Sequence, residues 1–599
     1  MLMDDVTGNE DGAWNAIWES AGRITATGFE VEMIIPFSQL RFQAGSGPSV
    51  WGVDGVRSYP RRDRHHIGLF PRIRGENSYL GQEEKLVGFN GVRPGQNLEI
   101  VPTLTAVRAD ERADFPRGAM AKVRSNGDVG LSAKWGVTPN VTLNATFNPD
   151  FSQVEADQVQ LNVNNQFALF FNETRPFFLE GADFFRVPRL NLLHTRQVVQ
   201  PTAAAKISGK TGRHAFGFFS AQDETTSIIL PGSQGSDTET LDADTLASVG
   251  RYRFDLAGNS TVGAMLTDRR GGGYANSVLA IDTSHRFSSA DSFSGTLAYS
   301  LTEDAPSIAA VTAPGRRSGI AMEWLYSHSV RNWEASAEYG RYNKDFRADL
   351  GFITQVDYNR WEIAGSRTWH GDATRFYNRI NASANVDETT EQDGPLIERE
   401  WEGYVSMNSR LESYVQVGGG TRKRLFNGVT FTQWFRSVYG EIRPSRDIEV
   451  GMNASWGDWI DFAHTRPAKQ RNLRPYVDVN YGRHLAMRYT HIIDTLDVEG
   501  GRLFTAHVPE LRFVYQRDTR TLLRAILQYT GVGRNPLLYA ASRNRQSRDL
   551  FAQLLASYKV NAQTALYFGY SSGASGSDQF ALTHANQTLF AKFSYAWLK

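Results

Sequence analysis

Cysteine is absent from the 599 residues. Disulfides, thiolate metal sites and a cysteine nucleophile are thereby excluded. The absence suits an oxidising compartment, where a stray thiol is a liability, but cytosolic proteins also lack cysteine. No run approaches about eighteen consecutive apolar residues, so a membrane-spanning α-helix is not expected. An excess of one charge is missing too: Lys plus Arg and Asp plus Glu each number 64. Nothing in that balance points to a nucleic-acid partner. Met1-Leu2-Met3-Asp4-Asp5 has neither a basic n-region nor an apolar h-region. Export is therefore expected to require a signal encoded upstream.

Aromatic residues and glycine are plentiful, with 35 Phe, 23 Tyr, 13 Trp and 54 Gly, yet mean hydropathy is only −0.40. A membrane β-barrel turns only every second residue to lipid, so an ordinary average is what it produces. A soluble propeller or sandwich has similar totals, and the pattern has to decide.

Beyond Gly91 the pattern is alternation. Trp333, Ala335, Ala337 and Tyr339 flank Glu334, Ser336 and Glu338. Ile448, Val450, Met452, Ala454 and Trp456 alternate with Glu449, Gly451, Asn453 and Ser455. Leu511, Phe513 and Tyr515 do so with Arg512 and Gln516, and Leu523, Ala525, Leu527 and Tyr529 with Arg524 and Gln528; Val514 and Ile526 are the exceptions. Successive side chains on a strand point to opposite faces. Each segment thus has an apolar face, often ending in Trp or Tyr as membrane interfaces favour, and a polar face suited to a wet lumen.

Short turns are read at Thr138-Pro139-Asn140, Arg443 to Ile448 and Tyr558 to Ala565. Longer polar links run over Thr225 to Thr245, Thr302 to Arg317 and Gly531 to Arg548. Short turns at one end and long loops at the other are the expectation for an outer-membrane barrel, the short ones periplasmic. Leu589, Ala591, Phe593, Tyr595 and Trp597 share one face of the last segment. Such a terminal aromatic strand suits recognition by the barrel-assembly machinery. At roughly 20 residues per strand and connection, the count is roughly 22–26 strands, even by the usual rule.

Residues 1–90 read differently. Gly28 to Phe37 and Trp51 to Pro60 are strand-like runs ended by proline, and Pro60 to His66 is a charged loop. No strand before Trp14 is available to complete a sandwich, so a partial periplasmic β-sandwich is expected.

The segment Phe147-Asn148-Pro149-Asp150-Phe151-Ser152-Gln153-Val154-Glu155-Ala156-Asp157, followed by Phe170-Phe171-Asn172-Glu173-Thr174-Arg175-Pro176-Phe177-Phe178-Leu179-Glu180-Gly181, resembles the signature of a barrel family known as domain of unknown function 5916. Phe346-Arg347-Ala348-Asp349-Leu350-Gly351-Phe352-Ile353 is similar to another of its recurring stretches. The resemblance implies an all-β, antiparallel transmembrane barrel over 91–599 in the outer membrane of a Gram-negative bacterium. It also implies an N-terminal carbohydrate-binding family 9-like domain. Trp18-Glu19, Ile35-Pro36-Phe37, and Trp51-Gly52 with Arg57 resemble the C-terminal half of such a domain.

The stretch near 148–200 starts on the extracellular side and is too apolar for a solvated loop: Phe167, Leu169, Phe170, Phe171, Phe177, Phe178, Leu179, Phe184 and Phe185 need burial. Two placements stay open. In one it folds into the lumen as a plug, with Asp150, Glu155, Asp157, Glu173, Arg175, Glu180 and Asp183 meeting charges on the inner wall. In the other it caps the barrel from outside. Glu155 with Asp157, and Glu173 with Glu180, are also the carboxylates that glycoside hydrolysis would need, although charges in a lumen are ordinary. Protease, hydrolase-elbow and phosphate-loop motifs are not found. The triplets Gly271-Gly272-Gly273 and Gly418-Gly419-Gly420 read as loop and strand-end glycines. His65-His66 is read as a solvated loop rather than a metal pair, because adjacent side chains on a strand point apart. No cofactor or metal is expected. Trp14 and Trp18 could stack on sugar rings or pack a core.

Three functions compete. The first is a channel or receptor for a nutrient such as an oligosaccharide. The second is a surface scaffold or assembly protein with a filled lumen. The third is a carbohydrate-active hydrolase with a sugar-binding module. Expected partners are outer-membrane lipid, the assembly machinery and carbohydrate.

Overall fold

In the computed structural model the described residues are 2–3, 10–11, 18–37, 40, 42, 49–59, 65–73, 79–92, 98–138, 140–149, 160–161, 163–241, 243–305, 315–372, 374–561 and 563–598. From Leu98 onward the chain closes into one antiparallel barrel of 24 strands, within the range expected from the spacing. Each strand pairs with its neighbour in sequence. The circle is completed where Thr583–Ser594 and then Trp597–Leu598 pair with Leu98–Arg112. Closure leaves no unpaired edge, which is what backbone in a lipid phase requires. Among the described residues no helix is long and apolar enough to cross a membrane.

The alternation sets the faces. On His214–Asp223, Phe218 is 50% exposed and points out, while Phe219 is 2% exposed and points in. On Tyr358–His370, Trp361, Ile363 and Trp369 point out and Glu362, Ala364 and Ser366 point in. Trp361 and Trp369 stand about 27 Å apart along the strand. At a tilt near 40° that is roughly 21 Å of barrel height, close to the apolar band of an outer membrane. Val514 and Ile526 lie on the inward faces of Gly501–Gln516 and Thr521–Arg534. They broke the sequence pattern because the inner wall is not uniformly polar.

The two rims differ. At one, the strands Val429–Ser445 and Ile448–Asp461 join through residues 446–447, and Pro201–Thr211 and His214–Asp223 through 212–213. The other carries the connections 148–200, 224–244, 304–315, 343–357 and 535–545. The first is called the turn rim below and the second the loop rim. Gly271 and Gly273 make a tight turn between Thr261–Gly271 and Tyr274–Arg286. Gly418–Gly420, expected at a strand end, instead run through the interior of Tyr414–Phe426. There the Tyr404 ring from Leu396–Ser409 lies against Gly418, where a Cβ would collide with it.

Before the barrel the described residues pair as separate two-stranded antiparallel sheets. Glu19–Ile24 pairs with Phe29–Ile34, Ser49–Val53 with Glu84–Phe89, and Val56–Tyr59 with His65–Gly68. Trp51 packs against Phe37, Phe42 and Phe89, with ring centroids 5.8, 4.9 and 5.8 Å away. These pieces lie at the turn rim. A cavity of about 1340 Å³ separates them from it, lined by His66, Arg72 and Tyr79 on one side and by His370, Arg379 and Arg443 on the other.

Candidate functional site

The site is the lumen, and three stretches of the loop-rim connections enter it. Residues 160–170 cross its mouth. Near the start of this crossing, the Asn164 amide donates to the Ile460 carbonyl (2.9 Å) and accepts from the Phe462 amide (3.0 Å). Leu161 and Val163 pack on Leu496, Leu503, Phe504 and Trp459. Arg424 donates to Gln166 at 2.6 Å. Further on, the Ala168 amide reaches Ser236 of the hairpin Thr226–Pro231 and Ser236–Leu241 at 2.8 Å.

Residues 172–198 then run down the inner wall. Phe178, Phe185, Leu190, Leu192 and Val198 are buried against inward-facing Ala204, Phe219, Ala221, Val249, Val278 and Ala298. Their depth follows from the partners. Glu180 pairs with Lys134 at 2.7 Å, near the turn-rim end of Met120–Thr138. Lys206 donates to the carbonyls of Phe177 and Glu180. Phe185 sits on Gly217, where an added Cβ would be 2.8 Å from its ring. Residues 172–198 thus pack against inward-facing side chains of the wall.

Arg175 is the clasp of this segment. It is 8% exposed and grips Glu173 with two nitrogens, at 2.8 and 2.7 Å. It also donates to the carbonyls of Thr195 (2.7 Å) and Val198 (2.8 Å), and lies 4.2 Å over the Phe178 ring. Burial alone would raise the Glu173 carboxyl; the Arg175 and Thr195 bonds overcome it and hold the group below its usual range. His194 packs between Phe170 and Phe352, and burial pushes its pKa down to about 4. The segment rejoins the wall where the Asp223 carboxylate accepts the amides of Val199 (3.0 Å) and Gln200 (2.6 Å). Asp223 also binds Arg269 at 2.8 Å, and both side chains are fully buried.

The third of these, 343–357, carries the second stretch noted in the sequence. Phe346, Leu350 and Val356 join the same core. Arg347, 4% exposed, binds Asp349 through two nitrogens (3.1 and 2.7 Å) and also pairs with Asp304. Tyr274 donates to Asp349, and Asn276 bonds both the Arg347 carbonyl (3.2 Å) and the Asp349 amide (3.0 Å). A buried charge pair needs this many partners to offset the loss of water.

Much of the remaining lumen wall is polar. Glu398, Glu400 and Glu402 follow one another on the inward face of Leu396–Ser409. Arg424 meets Glu398 at 3.2 Å and Arg422 meets Glu400 at 3.4 Å. Tyr404 donates to Glu402 at 2.7 Å. Tyr476 donates to Glu441 (3.0 Å) and Glu449 (3.2 Å), and Tyr439 also donates to Glu441. Planar rings beside anionic acceptors form an inner surface that can stack on and hydrogen-bond a polyhydroxylated solute.

The sequence candidates fall as follows. Glu173 and Arg175 are brought together, and Glu180 meets Lys134 instead of Glu173. Asp183 lies in the 3-10 turn Ala182–Phe185, next to its first residue. Trp18 is 42% exposed. Trp14, Asp150, Glu155 and Asp157 lie outside the described residues. Glu173 bonds Arg175 and Glu180 bonds Lys134, so each of these carboxylates has its own cation. Among the described residues no group of three His, Asp or Glu could hold a metal ion. The clusters around Arg347 and Arg422 were not singled out from sequence. The row of inward-facing alanines at 204, 221, 247, 280, 298 and 321 was the available signal, since small wall residues make room for a filling.

A closed barrel with an inward-folded segment defines the class. Residues 98–202, which span the first barrel strands and the lumenal segment, match the sequence model described as Domain of unknown function (DUF5916). No curated protein matches the sequence. Among solved structures, the ferric enterobactin receptor of Pseudomonas aeruginosa is similar at 8% identity, covering 85% of this chain and 83% of its own, with a TM-score of 0.46. The siderophore receptor PirA of the same organism is similar at 9% identity, covering 87% and 84%, with a TM-score of 0.44. The copper transporter OprC is similar at 8% identity, covering 86% and 83%, with a TM-score of 0.44.

Proposed function

We propose that the chain is an outer-membrane receptor or channel for a polar, hydroxyl-rich nutrient such as an oligosaccharide, gated by its own lumenal segment. The observation that carries this reading is a closed barrel, apolar outside and charged inside, whose lumen is filled on one side and polar on the other. Orientation follows from the rims: loops to the exterior, turns and the N-terminal sheets to the periplasm. The aromatic strand Thr583–Ser594 suits recognition by the barrel-assembly machinery. Exposed Trp18 suits a sugar contact in the family 9-like region. Passage would run along Tyr404, Tyr439 and Tyr476, whose hydroxyls already engage carboxylates.

The test is expression behind a signal peptide, comparison of migration before and after boiling, and conductance in planar bilayers with and without maltohexaose. A heat-modifiable band with conductance that the sugar blocks supports the reading. A soluble, non-shifting protein refutes it. The apolar filling around Phe178, Phe185 and Phe346 favours a second reading, a surface scaffold. A heat-modifiable barrel without conductance would select it.

A further inference from the structure

The outer face carries cations where a lipid-facing wall should have few. On Ile448–Asp461 the outward row climbs Ile448, Val450, Met452, Ala454 and Trp456 towards the loop rim. Trp456 is flanked in register by Arg436 on one neighbouring strand and Arg471 on the other. Lys469 stands next above Arg471 on the same face, and Lys423 projects outward one strand beyond Arg436. All four are exposed, and none forms an ion pair among the described residues. Arg436 lies 5.1 Å over the Trp434 ring.

Several other outward arginines have a carboxylate partner, although exposed Arg341 and Arg367 form no ion pair among the described residues. Arg108 has Asp110 at 3.2 Å, Arg270 has Asp268 at 2.8 Å, Arg399 has Glu388 at 2.5 Å, and Arg502 has Asp497. Around Trp456, Lys469 faces Asp458 and Asp497 in register, while Arg436, Arg471 and Lys423 have no carboxylate directly opposite; together they mark the height at which the apolar row ends. A cation that would be costly at the bilayer midplane is tolerated at the edge of hydrocarbon, where headgroup anions lie within its reach. Arg436 and Arg471 are two strands apart, roughly 10 Å, so each can take a separate phosphate while the acyl chains lie on Met452, Leu473 and Val438 below.

We infer that Arg436, Arg471, Lys469 and Lys423 around Trp456 form a binding site for a bis-phosphorylated glycolipid of the outer leaflet, of the lipid A type. Arginine supplies the planar fork that phosphate geometry matches, and lysine adds point charge. The inference rests on the outer-membrane reading above, and the experiment separates the two failures.

The full chain is reconstituted into phosphatidylcholine vesicles containing lipid A, dephosphorylated lipid A or phosphatidylglycerol, and retained lipid is measured by native mass spectrometry. Wild type is expected to retain lipid A over both other lipids, and the R436Q/R471Q variant to lose roughly tenfold in retention per arginine. R270Q, whose partner lies elsewhere, is expected to match wild type. Equal retention by wild type and R436Q/R471Q, or no preference of wild type for lipid A over phosphatidylglycerol, overturns the inference. A heat-modifiable band establishes that each variant is folded. If the double variant fails that check, K469Q and the wild-type contrast between phosphorylated and dephosphorylated lipid decide the matter. Failure of wild type itself to insert would overturn the outer-membrane reading.

Discussion

Arg175→Met should free the lumenal segment while leaving the barrel intact. The substitution keeps an unbranched apolar stem but removes the guanidinium, which also lies over the Phe178 ring. Glu173 is then buried without its cation, and the carbonyls of Thr195 and Val198 lose their donors. Removing one partner of a buried pair costs about 3–5 kcal/mol. The barrel wall should not register this, because its strands are held by a continuous backbone ladder that Arg175 does not touch. The loss should instead lower the free energy of local opening over 172–198. About 3 kcal/mol corresponds to roughly 150-fold faster amide exchange there. Hydrogen exchange on the folded protein reads this directly, with the heat-modifiable band as the control for the wall. Adding Glu173→Gln should recover part of the loss, since no orphan charge then remains. Unchanged exchange over 172–198 in Arg175→Met, with a folded barrel, would refute the idea that this clasp holds the segment down.

Gly217→Leu should displace Phe185, because even a Cβ would be 2.8 Å from its ring; overpacking of this kind costs about 1–3 kcal/mol, read as increased single-channel conductance. Docking of 190–198 should weaken in acid. His194 titrates near 4 when buried and near 6.5 when released, so the stabilisation is complete above the released value and declines as pH falls from about 6.5 towards 4, by up to roughly 3 kcal/mol. Exchange protection measured across that window checks it, and His194→Phe, which keeps the contacts with Phe170 and Phe352, should flatten the profile. Arg347→Met should release 343–357 by a cost similar to that at Arg175, seen as new protease cleavage after the loop-rim end of Trp333–Tyr342.

The wall was legible because its physics is local. Alternation alone places Trp361 and Trp369 outside and Glu362 inside, and tight turns such as Arg443 to Ile448 fix the neighbours. The filling was legible only as a need: nine bulky apolar residues between Phe167 and Phe185 had to be buried somewhere. Where they go depends on contacts between distant strands. Arg347 finds Asp304, Asp349 finds Tyr274, and Asn164 finds Ile460, pairings that no periodicity encodes. The Gly418–Gly420 triplet was misplaced for the same reason: the ring that occupies its space comes from a neighbouring strand, at Tyr404.

Residues 172–198 and 343–357 are connections of the wall itself, anchored at both ends to strands. Such an obstruction cannot be pulled away and lost, as a free plug domain could. Once dislodged, it stays within a short reach of its seat, so reclosure is an intramolecular event governed by tether length rather than by concentration. Any opening should therefore be brief and self-reversing, and a recording of this barrel should flicker about a resting level rather than switch permanently to a wide pore.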